Sequence, residues 1–351
     1  MKDVIEISGR KVGLGYEPLV VAEMSGNHNQ SLERALEIVE AAANSGAHAI
    51  KLQTYTADTL TIDKKDGDFY LSDPKSLWCG ISIYELYEQA HTPWEWHKEI
   101  FKRARELGLL CFSSPFDETA VDFLEALDCP CYKIASTENT DVALLRKVAA
   151  TGKPIIISTG MATVNDLGEM VSIVRQAGCN DLVLLKCTAA YPADPVEANL
   201  LTIPHMQQLL DCQVGLSDHT MGIGVAIASV AFGATVIEKH FTLSRDEGGV
   251  DSAFSMEPNE FSLLVSESKI AWQARGKVHY GTVKSENSSL ARRSLYVVKD
   301  MEKGEVLTKE NLRSIRPGFG LPAKYLDILL GMSVTQKIER GTRMSWGLVK
   351  R

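Results

Sequence analysis

Two histidines offer the first chemistry in this sequence. His219 lies in Gly-Leu-Ser-Asp-His-Thr and His240 in Val-Ile-Glu-Lys-His-Phe, each just past a short apolar run, 212–216 and 234–237. The intervening segment 223–232 reads as helical, so the spacing predicts a strand–helix–strand unit. Neighbouring parallel strands lie about 4.8 Å apart. Two imidazoles leaving adjacent strand ends in one direction can therefore converge on one divalent ion or one reacting carbonyl. Two structural histidines, each hydrogen-bonded at a strand–loop boundary, fit the same spacing. Asp218 and Glu238-Lys239 beside the pair favour a site.

Four lysines add to it. Lys51, Lys133, Lys186 and Lys239 lie within or at the end of otherwise apolar runs. Burying a lysine there is costly unless it meets a carboxylate or a phosphate. One alone reads as a snorkelling structural side chain; four around one barrel mouth read as an anion cradle. Ser114, Ser136 and Thr159 offer hydroxyls to the same anion or cap their strand ends. Glu23, among these cations, is a base, a ligand or a countercharge. On this physics the site binds a phosphorylated or carboxylated small molecule beside a divalent metal and activates a carbonyl.

The elements that must position these groups alternate along the chain. The run 19–22 ends at Glu23 and is followed by a helical stretch, 32–43, with Leu32, Ala35, Leu36, Val39 and Ala42 at helical spacing. Further apolar runs end at Lys51 and Gln53, at Ser113-Ser114-Pro115, at Ser136, at Ser158-Thr159-Gly160 and at Lys186-Cys187-Thr188. With the two histidine runs the count is about eight, which predicts a (β/α)8 TIM barrel over 1–275 with its chemistry at the C-terminal strand ends. No Gly-x-Gly-x-x-Gly turn follows the first strand, which counts against a dinucleotide-binding open sheet. Segment 54–90 is polar, dotted with aromatics and too long for an ordinary connection. It reads as a lid or dimer contact on the functional face, or as a tolerated insertion. A linker is expected at 276–290, where Gly, Ser, Asn and Lys replace the apolar pattern. A compact module follows over 291–351, with short strands at 294–298 and 303–307 and a helical turn from Glu310.

Composition narrows the partners. The 351 residues are 45% apolar and 23% charged, proportions of a globular protein with a large core, and the net charge is −8. That charge argues against nucleic acid or an anionic membrane as the main partner. The first residues lack the apolar core of a signal peptide. Seven scattered cysteines read as reduced core residues of a cytoplasmic protein.

The motifs then become familiar. Ala-Glu23-Met-Ser-Gly-Asn-His-Asn, Ser113-Ser114-Pro115-Phe116, Tyr132-Lys133-Ile-Ala-Ser136, Ser158-Thr159-Gly160-Met161, Gly-Leu-Ser-Asp218-His219-Thr220 and Glu238-Lys239-His240-Phe241 occur in the order of the sialic acid synthase family. The chain resembles that family over nearly its whole length, and 294–322 resembles its C-terminal antifreeze-like SAF domain. Within the family it most resembles the branch that makes pseudaminic acid, through 186–192, 251–255 and 83–88.

The resemblance implies condensation of phosphoenolpyruvate with an open-chain amino-sugar aldehyde, giving a nine-carbon α-keto acid and phosphate. It implies His219 and His240 as ligands of manganese or magnesium, and Lys51, Ser114, Lys133 and Ser136 as phosphoenolpyruvate-binding residues. Glu23 matches an acid/base, and Gln53, Tyr191 and Asp251 match positions near the sugar or metal. Arg316, in Ile-Arg-Pro-Gly, matches an arginine that reaches the partner subunit's site, so the implied unit is a domain-swapped homodimer. Ala189 stands where ordinary sialic acid synthases have Asn, and Lys186 where they have His. Loss of an amide donor suits a sugar with fewer hydroxyls; the pseudaminic and legionaminic precursors both qualify. A Schiff-base aldolase using Lys133 or Lys186, and a non-enzymatic carbohydrate-binding protein, are the competing readings.

Overall fold

The computed structural model describes residues 3–74, 76–283 and 288–350. The chain forms two compact units, Met1–Gly276 and Lys277–Arg351. Of the expected linker 276–290, residues 284–287 lie outside the described residues.

The first unit is a closed barrel of eight parallel strands. These are β1 (Leu19–Glu23), β2 (Ala49–Thr54), β3 (Leu110–Pro115), β4 (Tyr132–Ile134), β5 (Ile155–Ser158), β6 (Leu182–Cys187), β7 (Gln213–Ser217) and β8 (Val236–His240). Each strand pairs with the next in sequence, and β8 closes on β1 from Val236↔Leu19 to His240↔Glu23. Helices follow in turn: α1 (Leu32–Asn44), α2 (Trp94–Glu106), α3 (Glu118–Ala126), α4 (Val142–Ala149), α5 (Val164–Gln176), α6 (Thr202–Leu210), α7 (Gly224–Ala231) and α8 (Pro258–Arg275). This is the TIM-barrel architecture.

The near-continuous apolar runs are explained by burial on both faces, toward the barrel interior and toward the helices; Ile155, Ile156 and Ile157 are all buried. The helices turn one stripe inward, as Ala35, Ile38, Val39 and Ala42 do on α1. Their first turns are closed by side chains: Ser31 accepts from Arg34 N–H, Asp141 from Leu144 N–H, and Thr163 forms a capping box with Asp166.

Segment 54–90 is a structured excursion. It contains helices Ala57–Leu60 and Ile83–Ala90, each opened by a capping box (Thr56 with Thr59, Ser82 with Glu85). Among the described residues no helix is long and apolar enough to cross a membrane.

The second unit has its own core, including Leu295, Val297, Leu307, Leu312 and Met344. Its strand Ser294–Val297 pairs antiparallel with Leu312–Ile315. This corrects the expected layout, in which 303–307 was a strand and a helical turn began at Glu310. Asn311 is the physical reason. Its side chain accepts from Thr308 N–H at 2.7 Å and donates to Val306 O at 3.0 Å, gathering 306–311 into a turn and releasing Leu312 to start the strand.

Three enclosed histidines, His28 and His97 buried and His48 half-buried, couple the barrel to pH. His48 Nδ1 accepts from Val20 N–H at 3.0 Å, and His97 Nε2 lies 2.8 Å from Thr54 Oγ1. Burial pushes both, and His28, down to about 4. Between about 6.5, the ordinary value, and 4 the unfolded chain binds these protons and the folded chain does not, so stability falls as pH drops. The urea midpoint is therefore expected to fall steadily from pH 7 to pH 4.5, and His97→Gln to shallow that slope. A midpoint that holds level across this window contradicts the assignment of neutral buried histidines.

Candidate active site

At the C-terminal ends of the strands lies a cavity of about 330 Å³. One part of its wall is a buried charge cluster dictated by strand register. Glu23 on β1 stands opposite Lys51 on β2 and His240 on β8. Lys51 Nζ lies 2.8 Å from Glu23 Oε2 and 3.3 Å from Glu238 Oε1, and Lys133 Nζ lies 3.6 Å from Glu238. Gln53 Nε2 donates to Glu23 Oε1 at 2.8 Å, and Ser217 Oγ to Glu238 Oε1 at 3.2 Å.

Two carboxylates and two ammonium groups thus neutralise one another in a nearly dry wall. Burial alone pushes the Glu23 carboxyl up, but Lys51, His240 and Lys133 outweigh it and hold it well below the carboxylate range. Burial opposes charge on Lys51 too, yet Glu23 and Glu238 keep its pKa raised. At Lys133 burial wins, with help from Lys51, and its pKa is lowered. Lys133 has only the long contact to Glu238 and a 3.2 Å bond to Ile134 O. It is the cation with the most to gain from an incoming anion. Ser136 lines the cavity nearby and accepts from Gly160 N–H at 3.0 Å. A Cβ at position 160 would stand 2.7 Å from Ser136 Oγ, so only glycine permits this approach.

The imidazoles form the adjoining edge. The rings of His219 and His240 lie 5.3 Å apart between centroids. His219 Nδ1 lies 2.9 Å from Thr188 O, which fixes Nδ1–H as donor and leaves Nε2 as the free lone pair. His240 Nδ1 is buried with no hydrogen-bond partner, 3.7 Å from Asp251 Oδ2, while its Nε2 lies 3.7 Å from Glu23 Oε2. Ser25 Oγ donates to Asp251 Oδ2.

Two converging imidazoles, one with an orphaned buried nitrogen and both beside carboxylates, fit a divalent ion of borderline hardness. Among the described residues no group of three or more His, Cys, Asp or Glu closes at ligand spacing. The pair would therefore leave most coordination positions to substrate and water. Tyr191 covers His219 with its ring at 4.5 Å.

Most of the residues expected from sequence come together here: Glu23, Lys51, Gln53, Lys133, Ser136, Tyr191, His219, His240 and Asp251 all line the cavity. Ser114 stands level with Gln53 on β3, its hydroxyl buried and without a partner, but it is not part of the cavity lining. Three expectations are corrected. Lys239 faces away and binds Asp218 Oδ2 at 2.8 Å and Thr220 O at 2.7 Å. Lys186 spends its donors on Cys187 O and Thr188 Oγ1. Thr159 donates its hydroxyl to Leu185 O.

The cradle therefore has two lysines. Strand side chains alternate in direction, so with Glu238 and His240 facing the cavity Lys239 must point outward, as Lys186 must beside Cys187. The same rule turns Glu238, noted from sequence beside His240 but given no role of its own, into the cavity. Trp78 and Tyr87, brought in by the folded excursion, and Phe116, just past the end of β3, also line the cavity. Arg316 belongs to the second unit, exposed, just after strand Leu312–Ile315.

A (β/α)8 barrel with carboxylates, lysines and paired imidazoles at its strand ends defines an enzyme that works on an anionic substrate. Residues 38–280 match the NeuB family and residues 292–349 the SAF domain. The chain belongs to the NeuB family and is an enzyme of the sialic acid synthase class. It is 42% identical over 332 residues to the pseudaminic acid synthase of Helicobacter pylori, covering 93% of this chain and 96% of that one. It is 35% identical over 323 residues to the N,N'-diacetyllegionaminic acid synthase of Campylobacter jejuni, covering 91% and 96%. Among solved structures, the N-acetylneuraminic acid synthetase of Leptospira borgpetersenii superposes with a TM-score of 0.72 at 27% identity, over 81% of this chain and 95% of that one.

Proposed function

We propose that this protein condenses phosphoenolpyruvate with 2,4-diacetamido-2,4,6-trideoxy-β-L-altropyranose and water, giving pseudaminic acid and phosphate. The carrying observation is the joining of a two-lysine anion dock and a two-imidazole edge in one cavity. The higher identity to a pseudaminic than to a legionaminic acid synthase supports this choice of sugar.

In this reading Lys133 and Lys51, with Ser136 and Ser114, bind phosphoenolpyruvate and neutralise its charge. Gln53, Tyr191 and Asp251 position the open-chain sugar so that its C1 aldehyde faces C3 of phosphoenolpyruvate. His219 and His240 would hold a manganese or magnesium ion, which when bound would supply Lewis-acid polarisation to that aldehyde. The C2=C3 π pair of phosphoenolpyruvate forms the bond from C3 to C1 while the aldehyde C=O π pair moves to oxygen, which takes up a proton. Water adds at the cationic C2, and the C2–O bond breaks to release phosphate as the C2 hydroxyl gives up its proton and becomes the ketone. In this reading Glu23, ionised at neutral pH though held a weak base by Lys51, accepts the proton of the added water. Glu238 bridges the two lysines and offsets their mutual repulsion before the anion arrives. We place the reaction in the cytoplasm, in a pathway leading to flagellin glycosylation.

Phosphate release from phosphoenolpyruvate with manganese, comparing the two 6-deoxy diacetamido sugars with N-acetylmannosamine, tests this directly. Release with the altro-configured sugar alone, stopped by chelator, is the expected result. Release with another sugar keeps the mechanism and replaces the substrate. One observation favours a second reading: burial lowers the pKa of Lys133, as a Schiff-base lysine requires. Borohydride trapping that persists in chelator would establish it.

The working unit in this proposal is a domain-swapped homodimer in which Arg316 reaches the sugar in the partner's cavity. Arg316→Ala is expected to raise KM for the sugar about tenfold while leaving KM for phosphoenolpyruvate unchanged. The reverse split argues against the swapped arrangement.

A further inference from the structure

The half of the cavity that faces the charge cluster is apolar. It is built from Tyr55, Trp78, Leu86, Tyr87, Phe116 and Val250. Its rings interlock edge to face: Tyr55 lies 5.1 Å from Phe116 and 5.6 Å from Tyr87. Trp78 lies 5.9 Å from Tyr191, the ring that covers His219, and its indole Nε1–H donates to Val250 O at 2.9 Å. On the far side of Trp78 lies a surface groove of about 540 Å³, with exposed Asn29, Gln30, Leu77, Cys79 and Gln89 in its lining. Trp78, Leu86 and Val250 line both the cavity and the groove. The partition between them is therefore those three side chains.

We propose that Trp78 determines which acyl group the site accepts: the apolar half receives an N-acyl methyl of the sugar, and the indole, pinned to Val250, closes the room that a longer acyl chain would need. The inference rests on the amino-sugar reading above. With the anion on the lysines and the aldehyde end at the imidazoles, the remote carbons of the sugar are left facing the aromatic wall. The ring faces and aliphatic groups of that wall pack against methyl groups, which matches a doubly N-acylated deoxy sugar. Removing the indole would open the cavity into the groove and lengthen the acyl pocket without touching Lys51, Lys133 or the imidazoles.

The test compares wild type, Trp78→Ala and Trp78→Phe in phosphoenolpyruvate-dependent phosphate release. The substrates are the diacetamido sugar and its analogues carrying butanoyl in place of acetyl at one nitrogen. Wild type is expected to favour acetyl by at least about tenfold in kcat/KM. Trp78→Ala should lose or reverse that preference with KM for phosphoenolpyruvate unchanged. Trp78→Phe, which keeps an aromatic ring but not the hydrogen bond, should retain most of it. Should Trp78→Ala fail to fold by circular dichroism, Leu86→Ala opens the same partition and carries the same expectation. An active wild type whose opened variants keep the acetyl preference overturns this inference alone. A wild type inactive with every amino sugar overturns the functional reading and this inference with it.

Discussion

Alanine at either His219 or His240 is expected to lower kcat by at least about 1,000-fold while the protein stays folded. The magnitude follows from the several kcal/mol that Lewis-acid polarisation contributes to carbonyl chemistry. The fold should survive because both rings border the cavity rather than the packed core. The loss of His219 frees one backbone carbonyl at Thr188, which water entering the cavity can satisfy. Unaltered circular dichroism and urea midpoint, together with a chelator effect of the same size on wild type, would tie the loss to a metal. Turnover near the wild-type rate in either variant would remove these imidazoles from the reaction.

The second large effect concerns stability. Lys51 is fully enclosed and touches both Glu23 and Glu238. Lys51→Met fills a similar volume but leaves two buried carboxylates with Lys133 as the one nearby lysine, beside the His240 ring 3.7 Å from Glu23. Breaking a buried ion pair from one side costs about 3–5 kcal/mol, and urea unfolding should register a loss of that order.

The pH sign is also determined. Glu23 has its pKa depressed in the fold, so its contribution is present above the unfolded carboxylate value and is lost as pH falls toward the folded one. Without Lys51 that depression shrinks, and the variant should lose less further stability on acidification than wild type does. Adding Glu238→Gln should recover part of the midpoint by removing one stranded charge. A single variant within about 0.5 kcal/mol of wild type would mean that the cluster is more hydrated than its burial indicates.

The barrel was legible because each strand, buried on both faces, reads as an apolar run ending in polar groups, and each helix carries one apolar stripe. The charged strand ends were legible for the same reason: Lys51, Lys133 and Glu23 stand out against apolar neighbours. Their direction was readable only in part. Lys186 and Lys239 interrupt their strands as Lys51 does, yet they point away, and of the Glu238-Lys239 pair beside His240 only Glu238 faces the site. In the second unit the side-chain bonds of Asn311 delayed the strand that its sequence promised earlier.

What the sequence by itself determined is the alternation of elements, the family and the chemical types gathered at the strand ends, since these follow from local pattern and from motifs. The tertiary structure decided which side chains share a cavity. Strand register set Glu23 between Lys51 and His240, and a folded excursion laid Trp78 beside Tyr191. Both arise from closing the sheet and packing distant segments across it, so they depend on long-range contacts that local spacing does not encode.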